Sequence, residues 1–368
     1  MPHPQFDRSR LVMKPLAARA NKRTVARHMI DLRIEPAPLS PATEAALAET
    51  VARIRRARET SRPVMLAFGA HAIKNGLAPA LIALAQRGWA THLATNGAGV
   101  IHDWEFAFQG ATSEDVRANM ARGEFGAWRE TGLYLNLALA VGAYEGKGYG
   151  ESIGAMIACE RLALPPPDEL ENTARACLRD DPERAAAALD LLAVLRRMSL
   201  PPGELAIPHP FKQYSAQAGA WAAGVPFTGH PMIGCDIIYE HPANHGGALG
   251  RAALRDFLTF AEGVSRLDGG VYLSLGSAVM SPMIFEKAMA MTQNVARQSG
   301  GGLTDHFVLA VDLTPSRWDW SRGEPPEDNP DYYLRFNKTF SRLGGAFRYV
   351  QSDHRDFVLA LTHRLLRG

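Results

Sequence analysis

Cysteine is scarce: Cys159, Cys177 and Cys235 are the only three in 368 residues. Their number is odd and their spacing matches no metal-binding pattern, so neither a disulfide framework nor a zinc site is expected, and a reducing compartment is. Long apolar runs are missing as well. No stretch approaches the roughly 18 uninterrupted apolar residues of a membrane span, and the first residues lack the apolar core of a signal peptide. A cytoplasmic protein is the expectation. Charge of one sign is also missing, with 40 basic against 38 acidic residues mixed along the chain. That balance leaves no basic stripe for nucleic acid or for an anionic membrane. No serine sits in a Gly-x-Ser-x-Gly elbow, so hydrolase chemistry has no support.

What is present is a rhythm of strand, glycine turn and helix. Val64 to Phe68 is a β-type run that empties into Gly69-Ala-His71-Ala-Ile-Lys74-Asn75-Gly76, and a helix pattern over roughly Leu77 to Arg87 ends at Gly88. Ala90 to Asn96 repeats the theme into Gly97-Ala-Gly99-Val-Ile-His102-Asp103. Similar strands are expected at Val225–Thr228, Gly269–Gly276, His306–Asp312 and Gly345–Val350. Alternation of this kind predicts a Rossmann-like α/β fold, with a parallel sheet covered by helices on both faces. One domain over 1–368 is expected, with an N-terminal arm and helix over 1–60 and a helical insertion over 155–205. Ser40-Pro41 reads as a helix start running to Glu59. Thr112 to Ala143 reads as helical, and the Gly142–Gly154 run as either a mobile loop or a plain connection.

Parallel sheets bind ligands at the carboxyl ends of their strands, so the turns there hold the candidate residues. Gly97-x-Gly99 reads either as an anion-accepting turn or as a tight connection; a third fingerprint glycine is replaced by His102. Lys74, beside His71 and Asn75, can hold an anion or serve as a nucleophile. His230, Asp236 and His241 form the richest polar cluster, with Asp236 able to orient a cationic amine and His230 able to move protons. Asp236, His241 and His245 as metal ligands is the weaker reading, and no metal is expected. Ser277 either touches a ligand or caps a helix.

The segments Phe68–Gly76, Thr95–Asp103, Gly234–His241 and Ser274–Val279, with the final strand and helix, resemble deoxyhypusine synthase and its bacterial homologues. The resemblance spans residues 60–110 and 215–365. It implies a Rossmann-like subunit, bound NAD, a small-molecule substrate and a homotetramer or dimer. Carried over by position, His71, Lys74, Asn75, Asn96, Gly97, Gly99, His102, Asp103, Gly276 and Ser277 fall in the nucleotide-binding loops. Asp236 falls where the substrate amine is met, and Lys338 where a lysine receives the aminobutyl group. The departures are specific. His71 and Lys74 stand in a loop that the family fills with Ser and Asn, and His102 replaces an acidic residue. Phe336-Asn337 precedes Lys338 where the family has Trp-Gly. These changes argue for a substrate less cationic than spermidine. They leave two other readings, a non-catalytic nucleotide or metabolite binder and an aminobutyl transferase using Lys338.

Overall fold

A computed structural model describes residues 3–367 of the chain. Six parallel strands form the central sheet: β1 (Val64–Phe68), β2 (His92–Asn96), β3 (Phe227–His230), β4 (Val271–Leu275), β5 (Phe307–Asp312) and β6 (Ala346–Gln351). Their spatial order is β3-β2-β1-β4-β5-β6, every pair parallel. The chain therefore winds outward from β1 in one direction and then returns to wind outward in the other. This is the doubly wound order of dinucleotide-binding domains, whose reversal opens a crevice between the first and fourth strands. The expected Rossmann-like class is the observed one.

The sheet is buried on both faces because its strands alternate between two apolar cores. Val64, Leu66 and Phe68 enter one core, while Met65 and Ala67 enter the other. Leu273 and Leu309 repeat the first choice, Tyr272 and Val308 the second. The first face carries α1 (Pro41–Glu59), α3 (Ala78–Gln86) and the terminal α13 (His354–Leu366). The second carries α10 (Gly246–Ser265), α11 (Met280–Gln298) and α12 (Arg335–Ser341). The expected start of α1 is met: Ser40 Oγ accepts from the Thr43 N–H, and Pro41 opens the helix.

Three segments differ from the sequence reading. Thr112 does not begin a helix; Ala111–Glu114 is a short strand paired antiparallel with Asn21–Thr24 of the arm. The helices in this region are the short Val116–Ala121, capped by Asp115, and α5 (Arg129–Glu145). The Gly142–Gly154 run is largely helical, because α5 ends at Glu145 and α6 (Tyr149–Cys159) follows after three residues. Its glycines give close contact: a Cβ at Gly150 would lie 2.2 Å from the Phe227 carbonyl oxygen, and one at Gly148 would overlap the Asp256 carboxylate. The region of the expected insertion holds α7 (Pro167–Cys177) and α8 (Pro182–Arg197), flanked by the antiparallel pair Arg161–Leu164 and Gly203–Ala206. Among the described residues no helix is long and apolar enough to cross a membrane.

Candidate functional site

At the carboxyl edge of the sheet, β1 passes into α2 (Ala70–Lys74) and β2 into α4 (Gly97–Gln109). A cavity of about 230 Å³ lies there, lined by Arg19, Lys74, His102, Glu105, Glu114 and Asp236 among others. Three of the sequence candidates, Lys74, His102 and Asp236, thus meet in one place although 162 positions (236 minus 74) separate the outer two.

Asp236 follows the loop after β3 and rests directly on the first residue of α4. A Cβ at Gly97 would lie 2.1 Å from its Oδ2, so only glycine lets the carboxylate reach the positive end of that helix. Burial pushes the Asp236 carboxyl up to about 6, and Oδ2 has no hydrogen-bond partner. Two tyrosines that the sequence reading missed stand near it. Tyr149 Oη and Tyr239 Oη are buried without partners, and burial followed by the Asp236 charge raises both phenols. Tyr149 opens α6 inside the run read as a loop, so no pattern in the sequence placed its hydroxyl near Asp236.

Lys74 ends α2. Burial, then Arg23 and Lys22, hold its ammonium below the ordinary lysine value. His102 turns inward from α4 and its Nδ1 lies 2.7 Å from Thr112 Oγ1. Burial brings its imidazole down to about 4, so it lines the cavity as a neutral ring. Glu105, one turn further along α4, is fully enclosed. Arg19 Nη1 and Nη2 donate to its two oxygens at 2.8 and 2.6 Å, and Thr112 and Thr131 hydroxyls donate to it as well.

The remaining candidates divide. Gly97 is covered by Asp236, and a Cβ at Gly99 would meet Thr95 Oγ1 at 2.2 Å. The Gly99 N–H is taken by the Asn96 side chain at 2.8 Å, so this turn packs tightly and Asn96 caps α4. Asp103 is wholly buried; its oxygens accept from Ser215 Oγ, the Ala216 and Gln217 N–H groups and Gln217 Nε2, which ties down the start of α9 (Ala216–Ala223). His230 turns away from the cavity. Its Nε2 shares Thr228 Oγ1 with His92, its ring stands edge-on to Phe260, and burial brings it down to about 3. A ring held neutral under α10 is a packing group, so the sequence assignment of acid/base work to His230 has no geometric support. His241 Nδ1 accepts from Ala243 N–H and His245 caps α10, so neither joins Asp236, and among the described residues no His, Cys, Asp and Glu cluster has metal-binding geometry.

At the strand-order reversal, β1 and β4 end side by side. Gly69 and Gly276 touch there, a Cβ on Gly69 falling 2.2 Å from the Gly276 carbonyl oxygen. Gly276 has φ +56°, and His354 stands over it with its buried Nε2 unpartnered. His71 sits at the rim beside Asn75, the residue that ends α2. Loss of solvent, then Lys74, His354 and Arg23, lower the His71 imidazole, which marks a concentration of basic groups. Ser277 Oγ accepts from the Ser281 N–H at 3.1 Å, the capping alternative.

Lys338 lies on α12, outside the cavity lining. Its Nζ is 3.0 Å from Glu324 and lies over the Tyr332 ring. Desolvation lowers its ammonium, but the contacts with Tyr332 and Glu324 outweigh that and raise it. A nucleophilic lysine needs the opposite shift. Incubation with NAD and spermidine followed by borohydride is therefore expected to leave Lys338 unmodified in a peptide mass map, and an aminobutyl adduct on it would restore the transferase reading. A larger cavity of about 640 Å³ lies beside the outer strand β3, lined by Trp221, Phe227, Arg255 and Asp256. It lies away from the β1–β4 crevice, and Asp256 there is occupied by backbone N–H groups of Gly150 and Gly229.

Fold and site together define a doubly wound α/β protein with a charged cavity at the carboxyl edge of its sheet. No family model matches the sequence, and no curated protein does so significantly. Solved structures align at low overlap. The apo structure of ArgZ, a cyanobacterial arginine dihydrolase, matches with 14% identity and a TM-score of 0.45, over 88% of this chain and 33% of that one. AgrE in complex with ornithine and NAD+ matches with 14% identity and a TM-score of 0.44, over 90% and 34%. A conserved LOR/SDH-type protein from Methanococcus maripaludis gives 12% and 0.43, over 90% and 72%. The chain spans about a third of the length of the first two. These overlaps are too low to carry an argument. Of the family resemblance drawn from the sequence, the strand order bears out the Rossmann-like fold, and no family model supports the rest.

Proposed function

We propose that the chain is an enzyme that binds an NAD-type dinucleotide at the β1–β4 crevice and acts on a small molecule held in the adjoining cavity. The strand order carries this reading. Reversal between β1 and β4 leaves a crevice where dinucleotides bind in this architecture. His71, Lys74, His354 and Arg23 concentrate basic groups beside it, which suits a pyrophosphate. Residues that would hold the nucleotide are then His71, Asn75, Gly276 and Ser277, with Asn96, Gly97, Gly99 and Asp103 building the neighbouring wall. A bound nicotinamide would supply hydride exchange. Asp236 would orient the substrate, and Lys74 and His102 would shape the opposite wall.

NAD at a hundred times its dissociation constant is expected to stabilise the fold by about 2.7 kcal/mol, provided that only the folded chain binds it. His71→Glu places a negative charge at the rim without entering the core, so it should weaken NAD at least tenfold while leaving the unliganded unfolding curve unchanged. Absence of any shift with millimolar nicotinamide nucleotides would remove the cofactor and leave the metabolite-binding reading.

A further inference from the structure

We propose that the carboxyl-edge cavity binds a small amino acid as a zwitterion, its ammonium group against Asp236 and its carboxylate against Lys74. This rests on the reading of that cavity as the substrate site, and it adds the substrate class.

Two groups of opposite charge line one small space and yet do not meet. Among the described residues Lys74 enters no ion pair and no side-chain hydrogen bond, and Asp236 Oδ2 has no partner. Apart from the free thiol of Cys235, the other charged or titratable groups of the lining are already engaged. Arg19 is joined to Glu105 at 2.6 Å. Glu114 accepts from Asn119 Nδ2 at 2.6 Å and from the Gly126 N–H at 3.2 Å. His102 faces Thr112. Both groups are partly buried, and a charge withdrawn from water recovers its desolvation cost only by meeting a partner. Here the fold holds them apart. Lys74 is fixed at the end of α2, and Asp236 is seated on Gly97 at the start of α4. A ligand with both charges satisfies both groups at once.

The surroundings exclude other charge types. A second cationic end would meet Lys74 with Lys22 and Arg23 behind it. A second carboxylate would meet Asp236 and Glu114. The volume of about 230 Å³ equals roughly eight waters of liquid, room enough for a small amino acid.

Calorimetric titration of the full chain tests this with glycine, L-alanine, β-alanine and γ-aminobutyrate, against propionate and ethylamine as single-charge controls. At least one amino acid should bind ten times more tightly than either control. Asp236→Asn should then lose the amino acid at least tenfold and keep propionate, whereas Lys74→Met should lose the amino acid and keep ethylamine. A wild-type chain in which no amino acid exceeds the controls overturns the proposal, whatever the variants do. So does unchanged amino-acid affinity in both variants. NAD stabilisation read on the same samples separates the two readings. Retained NAD binding with no amino-acid preference defeats the zwitterion alone, and amino-acid preference without any NAD shift defeats the cofactor alone.

Discussion

Replacing Arg19 with methionine is expected to cost about 3–5 kcal/mol of folding free energy, because it strands Glu105 as an unpaired buried charge. The pair is almost sealed, with both side chains 1% exposed. Burial alone would raise the Glu105 carboxyl, yet Arg19 and the hydrogen bonds around it bring it below the ordinary glutamate value. A folded-state value depressed in this way gives stability that is present above the unfolded carboxyl pKa and is lost as pH falls through the folded one. Without Arg19 the sign inverts. The isolated carboxyl is pushed upward, so the variant loses further stability as pH rises above about 4.3, the unfolded glutamate value. Urea unfolding of both proteins at pH 5 and pH 7 reads the difference. A loss under about 1 kcal/mol at pH 7 would mean that the pair is not enclosed as described. Arg19→Met with Glu105→Leu should recover part of the loss, since no charge is then left inside.

The second large effect is expected at Asp256. Its Oδ2 accepts from the Gly150 N–H at 2.8 Å and from the Gly229 N–H at 2.6 Å, linking α10 to the start of α6 and to β3. Asp256→Ala leaves both N–H groups buried without an acceptor, at about 1–3 kcal/mol for each. Asp256→Asn keeps an acceptor oxygen and should cost less. Burial pushes the Asp256 carboxyl up to about 8, well above its unfolded value. The folded state therefore holds a proton that the unfolded state has released. The stabilisation is complete at low pH and is lost as pH rises from about 4 to about 8. Wild type and Asp256→Asn, compared by urea unfolding at pH 5, 7 and 9, should differ by that slope. Parallel stability profiles would show that Asp256 is ionised throughout.

Much of the fold was legible because its punctuation is local. Ser40-Pro41 starts α1 and Gly88 follows the end of α3, each through a hydrogen bond to a neighbour in sequence. Errors arose where the deciding partner is distant. Glycine-rich α6 reads as a loop until Asp256 and Phe227 are known to press against it. Thr112 reads as helical until Asn21–Thr24 arrives to pair with the segment. Lys74, His102 and Asp236 line one cavity because each follows a strand at the same edge. His230 was misjudged because residues alternate along a strand: it shares a face with Thr228 and points under α10. Tyr149 and Tyr239 gave no signal, because a tyrosine beside a carboxylate is a product of the tertiary fold.

The arm that precedes α1 is tied to the body of the molecule at three places, and its Arg19 lines the cavity. Arg8 donates to the Tyr239 carbonyl and to Asn244, Lys14 bridges to Trp128, and Arg19 grips Glu105. The first of these contacts spans 231 positions. Contacts of such long sequence separation pay their loop-closure entropy before they return any stabilisation, so they form late. The docking of the arm around Arg8 is thus among the last steps of folding, and a chain stopped short of residue 239 lacks the acceptors that hold it.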